Sequence, residues 1–157
     1  MYFRIKDNTL LYTIMSEPET FVKQHVSYKE FFMHDYIYTL SKSSNGLLNV
    51  PRIINYDANK QEMTMEKINH MNISDFYGEN ESNISAELFT QIHCIIRYLY
   101  DNHIIYPDIT GYNFIECGGK LWIIDFEHSD FKTHKKDTFV EKFVTNYEYN
   151  KWNPWFK

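Results

Sequence analysis

An amphipathic helix followed by a glycine-centred hairpin is the feature that most constrains the fold of this 157-residue chain. The runs 114–115 and 121–124 flank Glu116-Cys117-Gly118-Gly119-Lys120, which is typical of a hairpin with glycines in its turn. We therefore expect a long helix, a loop and a tight hairpin, in that order. The helix is indicated by apolar residues at helical spacing, which form one stripe: Leu88, Ile92, Ile95, Ile96 and Leu99.

The first part of the chain predicts several short strands around one helix. Ser27 and Glu30 have the spacing of a capping box, so a helix is expected to begin there and to run to about Leu40. A last helix is predicted from Asp137 to Tyr147. The strand-like runs are residues 2–5, 10–14, 20–23, 53–56 and 62–66.

Charge and composition exclude several classes of function. The formal net charge is -5, with 21 acidic and 16 basic residues, which disfavours a nucleic-acid partner. Two cysteines, Cys94 and Cys117, provide neither a zinc site nor a disulfide framework. No apolar run approaches the roughly 20 residues that a membrane span requires, and the N-terminus lacks the apolar core of a signal peptide. We therefore expect a soluble, cytoplasmic protein without a membrane partner.

Three polar residues around the predicted hairpin carry the chemical information. Asp108 and Asn113 lie five positions apart in Tyr-Pro-Asp-Ile-Thr-Gly-Tyr-Asn, and the hairpin returns the chain to Asp125 in Ile-Ile-Asp-Phe-Glu. Each match alone is weak, because such spacings arise by chance. If all were accidental, Asp108 and Asn113 would be turn residues, Asp125 a polar strand end, and the protein an unrelated α+β interaction domain. The order of helix, loop, hairpin and aspartate favours a functional site.

These motifs resemble the protein-kinase superfamily. The Asp-x-x-x-x-Asn spacing is that of the kinase catalytic loop, and Ile-Ile-Asp-Phe resembles the strand that enters the Asp-Phe-Gly segment. The resemblance implies that Asp108 orients the attacking hydroxyl. It implies that Asn113 and Asp125 bind Mg²⁺ against the phosphates of ATP, with GTP also possible.

The resemblance extends to the strands upstream. Phe21-Val22-Lys23 resembles the strand that carries the phosphate-pairing lysine. Its helix partner is usually glutamate; Glu30 is a candidate that the capping box already explains, and Asp35 matches the family position better. Residues 63–68 resemble the strand and hinge that contact adenine. Met65 would then lie at the back of the pocket, and the backbone of Glu66 and Ile68 would bind the base.

The sequence departs from the family at several positions. Lys6-Asp7-Asn8-Thr9 stands where the family has its glycine-rich loop, and Pro107 replaces the arginine before the catalytic aspartate. Control by phosphorylation of an activation loop is therefore not expected. Thr110 and the loop around it resemble the atypical RIO kinases and the small tRNA-modification-associated kinases, and Glu127 replaces the glycine after Asp-Phe.

The resemblance implies a single α+β domain with a two-lobed, protein-kinase-like fold. A small antiparallel-sheet N-lobe would span 1–66, and a hinge with a much reduced helical C-lobe would span 67–157. Only 32 residues follow Asp125, too few for a full activation segment and peptide-binding helices. The aromatic residues Trp152, Trp155 and Phe156 either fill the core of this lobe, which we favour, or form an exposed patch for a partner or a second copy.

The expected function is that of a compact atypical kinase. It would transfer the γ-phosphoryl group of ATP to a hydroxyl, with a protein serine or threonine as the expected acceptor. A small molecule or the protein itself remains open as acceptor, and a homodimer is possible. The alternative is a pseudokinase-like module that keeps the fold, with or without nucleotide binding, and acts by docking a partner.

Overall fold

The computed structural model describes residues 19–156, together with the backbone of the strands Tyr2–Lys6 (β1) and Thr9–Thr13 (β2). These two strands pair antiparallel, with Tyr2 opposite Thr13 and Lys6 opposite Thr9. The N-terminal hairpin is thus confirmed. Residues 7 and 8 of the segment expected in place of the glycine-rich loop lie outside the described residues.

A three-stranded antiparallel sheet follows, in the order β3-β5-β4. Its strands are β3 (Thr20–Lys23), β4 (Ile53–Asp57) and β5 (Glu62–Glu66), and Lys23 lies opposite Met63. Because alternate side chains of a strand share a face, Met63 and Met65 both point inward from β5. They form a small core with Val26, against which Phe31, Ile53 and Tyr56 pack.

Helix α1 (Tyr28–Ser41) begins at the predicted cap. The Ser27 hydroxyl accepts a hydrogen bond from the amide of Glu30 at 3.1 Å. The returning bond of a full capping box is replaced, because the Glu30 carboxylate accepts a hydrogen bond from Lys23. Met33 and Ile37 on the inner face of α1 reach the main core of the protein, so the helix connects the sheet to the rest of the chain.

The second part of the described chain is mainly helical. The stripe predicted between Leu88 and Leu99 is buried along α3, as expected. The five-residue helix α2 was not predicted, because it is too short to show a helical period. The elements are α2 (Ile73–Tyr77), α3 (Ala86–Asp101), β6 (Ile104–Ile105), β7 (Phe114–Cys117), β8 (Lys120–Ile123), β9 (Asp130–Phe131) and α4 (Thr138–Thr145), with single 3₁₀ turns at Glu81–Asn83, Gly111–Asn113 and Pro154–Phe156.

The β7–β8 hairpin brings the two halves of the predicted motif together. Cys117 pairs with Lys120, and the two glycines between them adopt φ values of +62° and +73°, which glycine tolerates without steric cost. At the open end of the hairpin, the amide of Ile124 donates to the carbonyl of Asn113 at 3.0 Å. Asp125 therefore emerges beside the loop that carries Asp108.

The aromatic tail divides between the core and the surface. Trp152 is only 4% exposed and packs on Phe89 with ring centroids 4.8 Å apart. Trp155 is 85% exposed, so the expectation that it fills the core is wrong. The 3₁₀ turn that begins at Pro154 directs Trp155 outward, and Phe156 is half-buried.

The structure has the predicted α+β composition, with a small antiparallel sheet and a helical second part. The division into one domain with lobes 1–66 and 67–157 stays a prediction. Within the part of the chain that the structure describes, every helix is too short or too polar to cross a bilayer.

Replacing the two tryptophans separately tests this division of the tail. We expect Trp152→Ala to lower the free energy of unfolding by about 3–5 kcal/mol, because it empties a buried site. Trp155→Ala should change it by no more than about 0.5 kcal/mol, because the side chain is exposed. Urea denaturation of both variants gives the two values. Equal losses in the two variants would contradict the placement of the tail.

Candidate functional site

A cavity of about 320 Å³ lies between the three-stranded sheet and the β7–β8 hairpin. Most of its lining is apolar, and three charged side chains contact one another at one end, an arrangement typical of sites for small molecules that carry charge on one side. Glu66 and Lys67 also line the cavity. The apolar wall residues are Phe21, Met63, Met65, Ile68, Ile115 and Ile124, and the charged end holds Lys23, Glu30 and Asp125.

Lys23 bridges two carboxylates at the charged end of this cavity. Its Nζ lies 2.5 Å from Oε1 of Glu30 and 3.0 Å from Oδ1 of Asp125. Burial lowers the pKa of Lys23, but its hydrogen bond to Glu30 and the charge of Asp125 outweigh burial and raise it. Burial raises the pKa of Glu30, which is 2% exposed, while Lys23 opposes that change. At this separation the ammonium and the buried carboxylate compensate each other as an ion pair.

The predicted pairing of Lys23 with Asp35 is wrong. Asp35 is exposed and lies five residues beyond Glu30 on α1, about 140° further around the helix axis. The capping function of Glu30 did not exclude it as the partner, because its amide bonds Ser27 while its carboxylate bonds Lys23. Glu30 thus takes part in the helix cap through its amide and fixes Lys23 through its carboxylate.

The other side of the cavity presents backbone groups of residues 66–68. The amide of Glu66 donates to the carbonyl of Arg52, and the amide of Lys67 donates to the carbonyl of Glu19, both at 3.0 Å. The amide of Ile68 has no acceptor among the described residues, so it is the free donor of this segment. Met65 is buried at the inner wall, as predicted for the back of the pocket.

Asp108 lies in the loop that precedes the hairpin and is 5% exposed. Its Oδ2 is 2.7 Å from Nδ1 of His128, and its Oδ1 is buried without a hydrogen-bond partner among the described residues. Burial raises the pKa of Asp108, and the hydrogen bond and charge of His128 oppose this. Nδ2 of Asn113 donates to the carbonyl of Asp108 at 3.0 Å, which closes the loop.

Sequence reasoning missed His128. Asp125 adopts φ +62°, a left-handed conformation that is uncommon outside glycine, and a turn follows in which the amide of Ser129 donates to the carbonyl of Phe126 at 3.1 Å. This turn returns His128 to Asp108. The only sequence signal was its position three residues after Asp125, because a contact across 20 residues has no periodicity to reveal it.

Aromatic packing joins α1, the segment after Asp125 and the loop of Asp108. The ring of Phe126 lies edge-on to His34 at 5.0 Å and to Tyr106 at 5.8 Å. The Tyr106 hydroxyl donates to the carbonyl of Ile124 at 2.7 Å. Of the predicted polar residues, Lys23 and Asp125 line the cavity, whereas Asp108 and Asn113 lie in the adjacent loop and do not line it.

A second ion pair fixes α1 over this cleft. Nζ of Lys29 is 2.7 Å from Oδ2 of Asp130 in β9, and β9 pairs with β6 just before the loop. The ring of Phe131 packs edge-on against Tyr36 of α1 at 5.0 Å. Lys29 and Glu30 are adjacent, so the same turn of helix is tied both to β9 and to Lys23.

The donor atoms at Asn113 and Asp125 suit a magnesium ion. Nδ2 of Asn113 is occupied by the loop, which leaves its Oδ1, and Oδ2 of Asp125 is not used by Lys23. Magnesium prefers oxygen ligands, and in nucleotide sites one or two side chains suffice because phosphates and water complete the shell. These residues therefore fit a magnesium ion carried by a nucleotide.

A small antiparallel sheet, one helix that supplies a carboxylate to a lysine, and a loop-and-hairpin site with two aspartates define the protein-kinase-like class. A family model described as the RIO domain matches residues 20–146. The chain belongs to the RIO domain family, and the resemblance inferred from its motifs is confirmed.

Among the proteins that resemble the chain are a curated relative and a solved kinase structure. The EKC/KEOPS complex subunit BUD32 of Enterocytozoon bieneusi (strain H348) is 29% identical over 109 residues, covering 62% of this chain and 53% of that protein. The solved structure of the Cydia pomonella Granulovirus kinase PK-1 matches 74% of this chain and 45% of that one, at 15% identity and a TM-score of 0.55. The predicted kinase-like fold is confirmed, and the chain spans about half the length of the curated relative that it matches.

Gly111 tests how closely the loop of Asp108 packs on α2. A Cβ at this position would lie 2.4 Å from the hydroxyl of Ser74, 3.0 Å from its amide nitrogen and 3.2 Å from Cζ2 of Trp152. We expect Gly111→Ala to lower the free energy of unfolding by about 1–3 kcal/mol through overpacking. Adding Ser74→Ala should recover part of this loss, because it removes the nearest atom. Denaturation of the two single variants and the double variant measures the coupling; purely additive losses would contradict the packing.

Proposed function

We propose that this protein is an atypical kinase that binds a magnesium nucleotide in the cleft and transfers its γ-phosphoryl group to a hydroxyl. The observation that carries this proposal is the bridge from Lys23 to Glu30 and Asp125 at the charged end of an apolar cavity. A lysine fixed by a buried glutamate and set beside a potential metal ligand is the arrangement that phosphoryl transfer by kinases requires.

The nucleotide base belongs at the apolar end of the cavity. The free amide of Ile68 offers a hydrogen bond to the base, and the neighbouring carbonyl of Glu66 is the acceptor that the resemblance implies. Met65 and Met63 supply polarisable apolar surface for a flat ring. ATP and GTP differ in the hydrogen-bonding groups that this edge would meet, and we propose ATP with GTP as the competing nucleotide.

The phosphates belong beside Lys23. Its raised pKa keeps the ammonium charged near neutral pH, and Glu30 holds it on the side of the cavity that faces Asp125. A magnesium ion bound with the nucleotide would neutralise phosphate charge, and Asn113 Oδ1 and Asp125 Oδ2 are the protein atoms that would hold it. Without bound nucleotide, the ion pair with Lys23 orients Asp125.

Asp108 is proposed to receive the acceptor hydroxyl. In its ionised form it would accept the proton of that hydroxyl as the oxygen forms a bond to the γ-phosphorus and the bond to ADP breaks. His128 donates to Oδ2; Oδ1 has no partner among the described residues but is buried, so the loop would have to open for the acceptor hydroxyl to reach it. The acceptor that we propose is a serine or threonine of a protein, as the kinase resemblance implies.

A pseudokinase-like docking module is the second candidate. The relative from E. bieneusi is named as a subunit of a complex, which suggests that this chain also has protein partners. Pro107 and Glu127 depart from the kinase pattern on either side of the catalytic residues. Nucleotide binding is compatible with both candidates, so phosphoryl transfer that is lost in Asp108→Ala is the result that separates them.

Thermal unfolding with nucleotide tests the site. Ligand at about 100 times its dissociation constant adds about 2.7 kcal/mol to stability. Each kcal/mol raises the unfolding midpoint by about 2–4 °C in a chain of this size. We expect a magnesium-dependent rise with ATP in the wild type and in Asp35→Asn, whose side chain is exposed. Asp125→Asn should lose the magnesium-dependent rise. An equal rise in all three proteins would remove Asp125 from the site.

The pH dependence of phosphoryl transfer tests the pair formed by Asp108 and His128. Burial raises the pKa of Asp108, and His128 lowers it, so the ionised form should appear above the usual pH range for aspartate. Removing the imidazole in His128→Ala raises that pKa further, and the acid limb of the rate profile should move to higher pH. His134→Ala is the matched control, because His134 is exposed and bonds Asp130. An unshifted limb in His128→Ala would contradict the pairing.

A further inference from the structure

Residues 152–156 lie directly against the loop that carries Asp108. Nδ2 of Asn153 donates to the carbonyl of Pro107 at 2.7 Å, and the backbone amide of Asn153 donates to the carbonyl of Ile109 at 2.8 Å. The two acceptors are the residues immediately before and after Asp108. One asparagine, 44 positions beyond Ile109 in the sequence, thus brackets the proposed catalytic aspartate on both sides.

Asn153 is a buried polar residue whose side chain is hydrogen-bonded. It is 1% exposed, and its Oδ1 accepts a hydrogen bond from the amide of Trp155 at 3.2 Å, so both ends of its side-chain amide are bonded. The loop has irregular backbone, and its buried carbonyls need donors from elsewhere in the fold. The carbonyl of Ile109 obtains its donor from Asn153 alone among the described residues, whereas the carbonyl of Pro107 accepts from both Asn153 and the amide of Ile109.

Two aromatic contacts hold Asn153 in this place. Trp152 packs on Phe89 of α3 and lies close to Gly111 of the loop, where an added Cβ would be 3.2 Å from Cζ2 of the indole. Phe156 places its ring 5.0 Å from the ring of His128, which bonds Asp108. The segment therefore reaches Asp108 by two routes, through the backbone of the loop and through its imidazole partner.

We propose that Asn153 is a positioning residue that fixes the backbone on both sides of Asp108, and that the segment 152–156 is part of the catalytic machinery. The inference rests on the proposed kinase function for its effect on turnover. Its structural part, that the Nδ2 donor of Asn153 keeps the loop closed, stands on the contacts of the segment. Asn153 lies outside the nucleotide cavity, so the inference predicts a loss of turnover without a loss of nucleotide affinity.

The test compares Asn153→Ala and Asn153→Asp with Asn150→Ala. Asparagine-to-aspartate keeps the size of the side chain and the Oδ1 acceptor for Trp155, but replaces the donor that faces Pro107 with a second oxygen. Asn150 is the matched control, because its side chain bonds His93 on α3 at 3.1 Å and lies only three residues earlier. Each protein is assayed for Mg²⁺–ATP turnover, for the dissociation constant of ATP and for hydrogen exchange of the amides of residues 108–113.

We expect both Asn153 variants to lose kcat by about 10- to 100-fold, the scale of a misplacement of about 1 Å, with the ATP dissociation constant within about twofold of wild type. The loop amides should exchange about 10-fold faster or more than in Asn150→Ala. If Asn153→Ala does not fold, Asn153→Asp carries the comparison. Tolerance of aspartate, or exchange as slow as in the control, would overturn the inference.

The outcomes also separate this inference from the proposed function. If the wild-type chain turns over no ATP and phosphorylates nothing, the kinase proposal fails, and the exchange rates alone decide whether Asn153 holds the loop. If the wild type is active and both Asn153 variants keep wild-type kcat, the kinase proposal stands and the positioning role is wrong. Loss of kcat together with equal loss of ATP affinity would indicate general damage to the fold and would also overturn the positioning role.

Discussion

The ion pair between Lys23 and Glu30 is the interaction on which the site depends. It joins the end of β3 to the first turn of α1, and through Asp125 it reaches the segment that follows the β7–β8 hairpin. Because Glu30 is almost fully buried, its carboxylate is costly to desolvate without a cation, and Lys23 supplies that cation within hydrogen-bonding distance. The end of β3, the first turn of α1 and Asp125, which lies 102 residues beyond Lys23, are thereby held to one cleft. The position of α1 follows from this pair and from Lys29 with Asp130.

The opposite side of the cleft is organised by hydrogen bonds to an irregular loop. Asn113 bonds the carbonyl of Asp108 from within the loop, and Asn153 bonds the carbonyls on either side from the end of the described chain. Apolar packing of Trp152 and Phe126 stabilises the same region, but it does not fix the direction of a carboxylate. Hydrogen bonds to the backbone of the loop fix the orientation of the loop that carries the carboxylate, because each bond joins one defined donor to one defined acceptor. The carboxylate of Asp108 is in turn held by His128.

Much of the fold followed from local pattern. The stripe of α3, the cap of α1 at Ser27 and the glycine turn of β7–β8 each depend on residues within a few positions of one another, and each was confirmed. The helix α2 was missed, because five residues do not display a period. The spacing of Asp108, Asn113 and Asp125 also predicted a common cleft edge, because one loop and one hairpin connect them. Prediction was less successful for a contact between two elements: the sequence favoured Asp35 as the partner of Lys23, whereas the structure pairs Lys23 of β3 with Glu30 of α1.

The sequence by itself determined the kinase-like class and most of the strand and helix order, apart from short elements such as α2, and it indicated the residues that we propose for a nucleotide site. These are properties of periodicity, turn chemistry and motif spacing, which act over short stretches of chain. Only the tertiary structure decided which carboxylate holds Lys23 and that His128 bonds Asp108. It also decided that Trp155 is exposed while Asn153, two residues earlier, is buried. The contact of His128 spans 20 residues, the choice of Glu30 depends on which face of α1 meets β3, and the exposure of Trp155 depends on a turn that redirects the chain. Burial and hydrogen-bond partners at such sites are set by packing, for which a single sequence carries no local signal.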